Sequence, residues 1–144
     1  MSLALPTTTA ARGGLHRTTS PRLPLAWKLP AAGRADRLAW ALVGLGLALL
    51  PWLATLGAAG EWNWVGLDAL EAAGLISTGL LLRRADPRHG LTAVATAALL
   101  LTDAWFDITT AAPGTDLAVA LAMAAFLELP ISVLCTRLAL RASV

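Results

Sequence analysis

Five acidic side chains, Asp68, Glu71, Asp103, Asp107 and Glu128, lie inside long apolar stretches, whereas the Lys and Arg residues gather at the ends of those stretches. A carboxylate at the centre of a membrane helix costs roughly 2.5 to 3.5 kcal/mol even on the lenient insertion scale. Several of them without a basic partner call for one common cause: they share protons, they hold a cation, or they face water. Like charges within a few ångströms cannot all ionise, so a converging set of carboxyls is suited to handling protons. The same oxygens suit a hard divalent cation such as Ca²⁺, Mg²⁺ or Mn²⁺. Asp103-x-x-x-Asp107 beside Asp68-x-x-Glu71 supplies enough oxygens for such an ion, which makes Asp68, Glu71, Asp103 and Asp107 the candidate metal ligands. A further chemistry stays open, because a neutral carboxylic acid can protonate an alkene or epoxide while a second carboxylate takes a proton away. An isomerase or cyclase of that kind, acting on an uncharged lipid, would use Asp103, Glu128, Asp68 and Glu71, with Trp105, Phe106 and Phe126 as aromatic walls. Trp105 joins the five acids as a candidate ligand-binding residue because acids flank it on both sides.

Other chemistries are set aside. The apolar stretches contain no His, which excludes an H-E-x-x-H metal hydrolase. Ser77 and Ser132 have no His or Lys to activate them. A phosphate site would recruit Lys or Arg, and the half of the molecule carrying the acids has neither. The single cysteine, Cys135, offers no disulfide and no C-x-x-C pattern, and reads as a small packing residue.

The elements that must position the acids are membrane helices. Of the 144 residues, 57% are hydrophobic and 14% charged, against about a quarter charged in soluble domains. Four apolar segments, at about residues 38–56, 65–82, 91–110 and 117–138, are each long enough for a helix to cross a hydrocarbon core of about 30 Å. The expected architecture is all-α, a four-transmembrane-helix antiparallel bundle over residues 38–138, since connections this short join antiparallel neighbours. Residues 1–37, rich in Pro, Thr, Gly and Arg, read as a disordered basic cytoplasmic tail, within which Trp27 and Lys28 could touch the headgroup region. Residues 139–144 read as a second cytoplasmic tail.

The formal net charge of +2 reports topology and not nucleic-acid binding. Arg12 through Arg37, the Arg83, Arg84 and Arg88 loop, and Arg137 with Arg141 fall on one side, whereas the other two loops carry only Glu61 and Asp116. By the positive-inside rule both termini are cytoplasmic in a plasma membrane. Trp52, Trp62, Trp64 and Trp105 then mark the outer interface and Trp40 the inner one.

Helical spacing sorts the acids onto faces. Asp68 and Glu71 share a face that continues through Leu75 and Thr78; Asp103 and Asp107 share another; Glu128 lines up with Ser132 and Cys135, close to the helix-disrupting Pro130. Entering from outside, Asp68 lies roughly 6 Å deep, Glu71 roughly 10 Å and Glu128 roughly 16 Å. Polar stripes in lipid turn inward, so the expected site is an outward-opening cluster with Glu128 as its floor. The first helix brings no ionisable group; its Gly44, Gly46 and Pro51 indicate close packing and a bend. Internal repetition is weak, because the first helix lacks the acids of the third, and a transporter of four helices would have to form a homo-oligomer.

The segments Trp64-Val-Gly-Leu-Asp68-Ala-Leu-Glu71, Asp103-Ala-Trp-Phe-Asp107 and Glu128-Leu-Pro130 together resemble small four-helix integral membrane proteins of high-GC bacteria, a group without an established activity. The resemblance covers roughly residues 38–138 and implies the architecture alone. Three roles are compatible with the residues: a binding or transport component, an acid/base enzyme, and a structural subunit of a larger membrane complex.

Overall fold

The computed structural model describes residues 29–143. The tail expected up to residue 28, with the interfacial contact of Trp27 and Lys28, lies outside them. Four helices follow one another: α1 (Leu29–Ala59), α2 (Trp62–Arg83), α3 (His89–Thr110) and α4 (Thr115–Ala142). All four are long and apolar enough to cross a membrane, and the described residues contain no strand. The chain is an all-α membrane bundle.

Three helices start and stop within a few residues of the sequence expectation. The first does not: α1 begins at Leu29, so the stretch Leu29–Arg37, assigned to the tail, is helical. Ala31, Ala32, Arg34 and Ala35 are good helix formers, and Asp36 is held by Arg83 of α2, whose Nε lies 3.5 Å from its carboxylate. The Arg83 guanidinium also stands 4.6 Å from the centre of the Trp40 ring. These contacts tie the start of α1 to the end of α2, in a region where apolarity alone would have ended the helix. Likewise α4 runs on to Ala142, through most of the expected second tail.

Backbones approach closely between α1 and α2, α2 and α3, and α3 and α4, while no Cα of α1 comes within 8 Å of one in α4 among the described residues. The close approaches occur where a side chain is missing. A Cβ on Gly46 of α1 would lie 2.8 Å from the Ala72 carbonyl oxygen of α2, and one on Gly90 of α3 would lie 2.7 Å from Ala142 Cβ of α4. Gly74 of α2 packs directly on Thr96 of α3. In hydrocarbon, where apolar burial does not drive helices together, such small-residue seams supply the packing attraction. Of the pair singled out in the sequence, only Gly46 serves in this way; Gly44 faces open space.

The interior divides along the bundle. Toward the end at which α1 begins and α4 stops it is filled by Leu42, Leu75, Ala93, Ala97, Cys135 and Leu138. Toward the other end it is lined by acids. Leu75 and Cys135 are essentially inaccessible, so apolar side chains close the interior beneath the carboxyls.

Both of the first two turns use the same helix stop. After α1, Gly60 adopts φ 81° and the Glu61 N–H donates to the Leu56 carbonyl at 3.0 Å. After α2, the left-handed position falls to Ala85, at φ 54°, with the Asp86 N–H donating to the Leu81 carbonyl at 3.0 Å. This closure normally takes glycine, because a Cβ costs roughly 1 kcal/mol or more in the left-handed region. Ala85→Gly should therefore raise the unfolding free energy by about 0.5 to 1 kcal/mol in a detergent-unfolding titration; a decrease would show that Ala85 is not held in this conformation.

Candidate functional site: a buried carboxylate cluster

Asp68 and Glu71 enter the interior from α2, Asp103 and Asp107 from α3, and Glu128 from α4. Four of them are buried, with relative exposures of 6% for Asp68, 3% for Glu71, 7% for Asp103 and 4% for Glu128. Asp107 is partly buried and is the most accessible of the five. The local reasons are simple. The i, i+3 pair on α2 and the i, i+4 pair on α3 each occupy one helix face, and the inward face is the only one that escapes lipid.

Glu128 is delivered differently. It closes a five-residue π-helical segment, Ala124–Glu128, that interrupts α4 just before Pro130. Proline cannot donate the hydrogen bond of its helical turn, and the wider turn accommodates this disruption while rotating the following residues. Below it, Ser132 Oγ donates across the helix interface to the Ala97 carbonyl of α3 at 3.1 Å, which pins α4 to α3 one turn from Glu128. A proline was visible in the sequence; the π-helical turn was not.

The carboxyl oxygens gather into two overlapping groups. Asp68, Glu71 and Asp103 each place an oxygen within 4.8 Å of the others, and so do Asp103, Asp107 and Glu128. Asp103 belongs to both. The four-residue ligand set expected from sequence, Asp68, Glu71, Asp103 and Asp107, therefore does not converge on one point: Asp107 falls in with Glu128. Among the described residues, Glu71 Oε1, Asp103 Oδ1 and both Glu128 oxygens are buried without a hydrogen-bond partner, although buried oxygens are ordinarily satisfied. None of the five forms an ion pair among the described residues, and the pair of Asp36 with Arg83 lies at the opposite end. The Oγ of Thr78, two turns from Glu71 on the same face of α2, is likewise buried and unpartnered.

Two aromatic assignments change. Trp105 is 67% exposed on the outside of α3, because positions two residues from Asp103 and from Asp107 point away from the face those acids share; it does not line the cluster. Phe126, exposed on α4, does not either. Phe106 borders a groove of about 290 Å³ with Asn63, Trp64 and Leu67, next in sequence to Asp107 and Asp68. Trp52 of α1, read as an interfacial anchor, stands half-exposed beside the Asp68 carboxyl. The first helix therefore brings a side chain to the edge of the site, and nothing in helical periodicity marks it.

Chemically, the arrangement offers buried carboxyl oxygens in excess, with no basic side chain paired to them among the described residues. Oxygens bound to one hard cation at about 2.0 to 2.6 Å can be no more than about 5 Å apart, and each of the two groups meets that condition. Fold and site together define a four-pass helical membrane protein with a buried carboxylate cluster. No family model, curated protein or solved structure matches the chain.

Proposed function

We propose that this protein is a binding or transport component of a membrane that takes up a hard cation, in exchange for protons, through an outward-opening carboxylate cluster. One observation carries the reading: Glu71, Asp103 and Glu128 present buried, unpartnered oxygens to their acidic neighbours, with no basic residue to neutralise them among the described residues. Without a cation such a set remains in a low-dielectric interior only by keeping protons. A divalent ion arriving there displaces protons, because its ligands must be ionised.

The reading puts the basic loop at Arg83, Arg84 and Arg88 and both chain termini on the cytoplasmic side of the plasma membrane. Asp107, the most accessible acid, then stands at the outer mouth, and the apolar packing of Leu42, Leu75 and Cys135 closes the cytoplasmic side. The test is proton release. Adding Mn²⁺ to the purified protein in weakly buffered detergent solution should acidify a pH-sensitive dye in proportion to the ion bound. Binding without proton release would contradict the exchange.

The groove formed by Asn63, Trp64, Leu67 and Phe106 favours a second reading, an acid/base enzyme acting on an uncharged lipid, with Asp103 and Glu128 as the acid and base. Incubation with membrane lipid extracts and product analysis separates the two: a new isomer or cyclised product that disappears in Glu128→Gln supports the enzyme.

A further inference from the structure

The division of the acids into two groups carries more than the presence of a cation. Resting on the cation-binding reading above, we propose that the cluster holds two divalent cations side by side, bridged by the Asp103 carboxylate, with Asp68 and Glu71 completing one position and Asp107 and Glu128 the other.

Three observations support the pair. Neither group on its own contains all five acids, and the two meet only at Asp103. A single ion at either position would leave two of the carboxylates outside its reach, whereas two ions use all five. The second is the state of the oxygens: Glu71 and Glu128, one from each group, are each more than nine-tenths buried with unpartnered oxygens, and Asp103 between them has an unpartnered Oδ1. Unsatisfied oxygens thus occur at both positions and at the bridge. The third is charge. Five ionised carboxylates carry five negative charges; one divalent ion offsets two of them and two ions offset four, which suits an interior where uncompensated charge is costly. A carboxylate shared between two ions holds them about 4 Å apart, the spacing of two-metal sites generally.

The three helices have separate parts in this arrangement. The α2 pair serves one ion, the π-helical turn of α4 lowers Glu128 onto the other, and α3 supplies the bridge. The ion beside Asp107 is nearer solvent and exchanges faster; the ion beside Glu71 is enclosed, with the Trp52 indole next to its outer ligand Asp68.

Mn²⁺ is the probe, read by electron paramagnetic resonance on the full chain in detergent. Titration should end at two tightly bound ions per chain, with the closely spaced hyperfine pattern of an exchange-coupled pair. Glu71→Gln and Glu128→Gln should each leave one ion with the simple spectrum of an isolated Mn²⁺, and Asp103→Asn should abolish the coupling. The unmodified chain decides the matter even if a variant does not fold. One uncoupled ion per chain overturns the pair while leaving the cation-binding reading intact. No tightly bound ion overturns both.

Discussion

Replacing Asp103 with Asn and Glu128 with Gln in the same chain should remove tight Mn²⁺ binding while the helices stay assembled. The side chains keep their shape, and an amide can still hydrogen-bond across helices. Interhelical polar contacts in membranes contribute about 1 kcal/mol each at most sites, and neither Oε of Glu128 nor Oδ1 of Asp103 has a partner to lose. The unfolding free energy should therefore change by no more than about 1 kcal/mol. Affinity behaves differently. Even residues that only orient metal ligands change affinity by about 10- to 100-fold, so removing two anionic ligands should weaken binding by about a hundredfold or more. Isothermal titration with Mn²⁺ and helix content by circular dichroism, on the same preparation, give the two readouts. A double variant that binds Mn²⁺ normally would exclude the cluster as the cation site. One that fails to assemble would instead assign these carboxyls a purely structural role.

The largest effect on stability is expected away from the acids. A Cβ at Gly79 of α2 would sit 2.5 Å from the Ala39 carbonyl oxygen and 2.8 Å from Val43 Cγ2 on α1. The first of these is backbone and cannot rotate aside. Together with Gly46, which performs the same service from α1, Gly79 allows the two helices to touch along their length. Gly79→Val should force them apart and cost about 3 kcal/mol, the upper range for overpacking. Gly44→Ala is the matched control: nothing lies within 4 Å of the added carbon, so the change should stay within about 0.5 kcal/mol. Equal midpoints for the two variants in a sodium dodecyl sulfate titration would mean that α1 and α2 do not meet at Gly79. Because α1 makes its closest backbone approach to α2, its displacement should also withdraw Trp52 from Asp68 and weaken Mn²⁺ binding.

The contrast between these glycines shows what periodicity can resolve. Gly44 and Gly46 are equivalent in sequence, two small residues in an apolar helix; only the docking of α2 makes one a contact and leaves the other facing outward. Gly79, the more consequential residue, gave no signal at all. Trp105 shows the same limit: it is acid-adjacent along the chain, yet the helical period turns it away from the acids that flank it, while the docking of α1 brings Trp52 beside Asp68.

Four apolar helices of membrane-spanning length, with acids embedded in three of them, were legible from residue order, since helix length and hydropathy are local properties and the i, i+3 and i, i+4 spacings place each set of acids on one face. Tertiary structure alone decided how those faces meet: Asp107 is grouped with Glu128 and not with Asp68, and Asp103 is common to both groups. The reason is geometric. Distances between side chains on different helices depend on the rotation and axial offset of each helix, and these are set by where backbones can touch at Gly46, Gly74, Gly79 and Gly90, and by the π-helical turn that carries Glu128 inward.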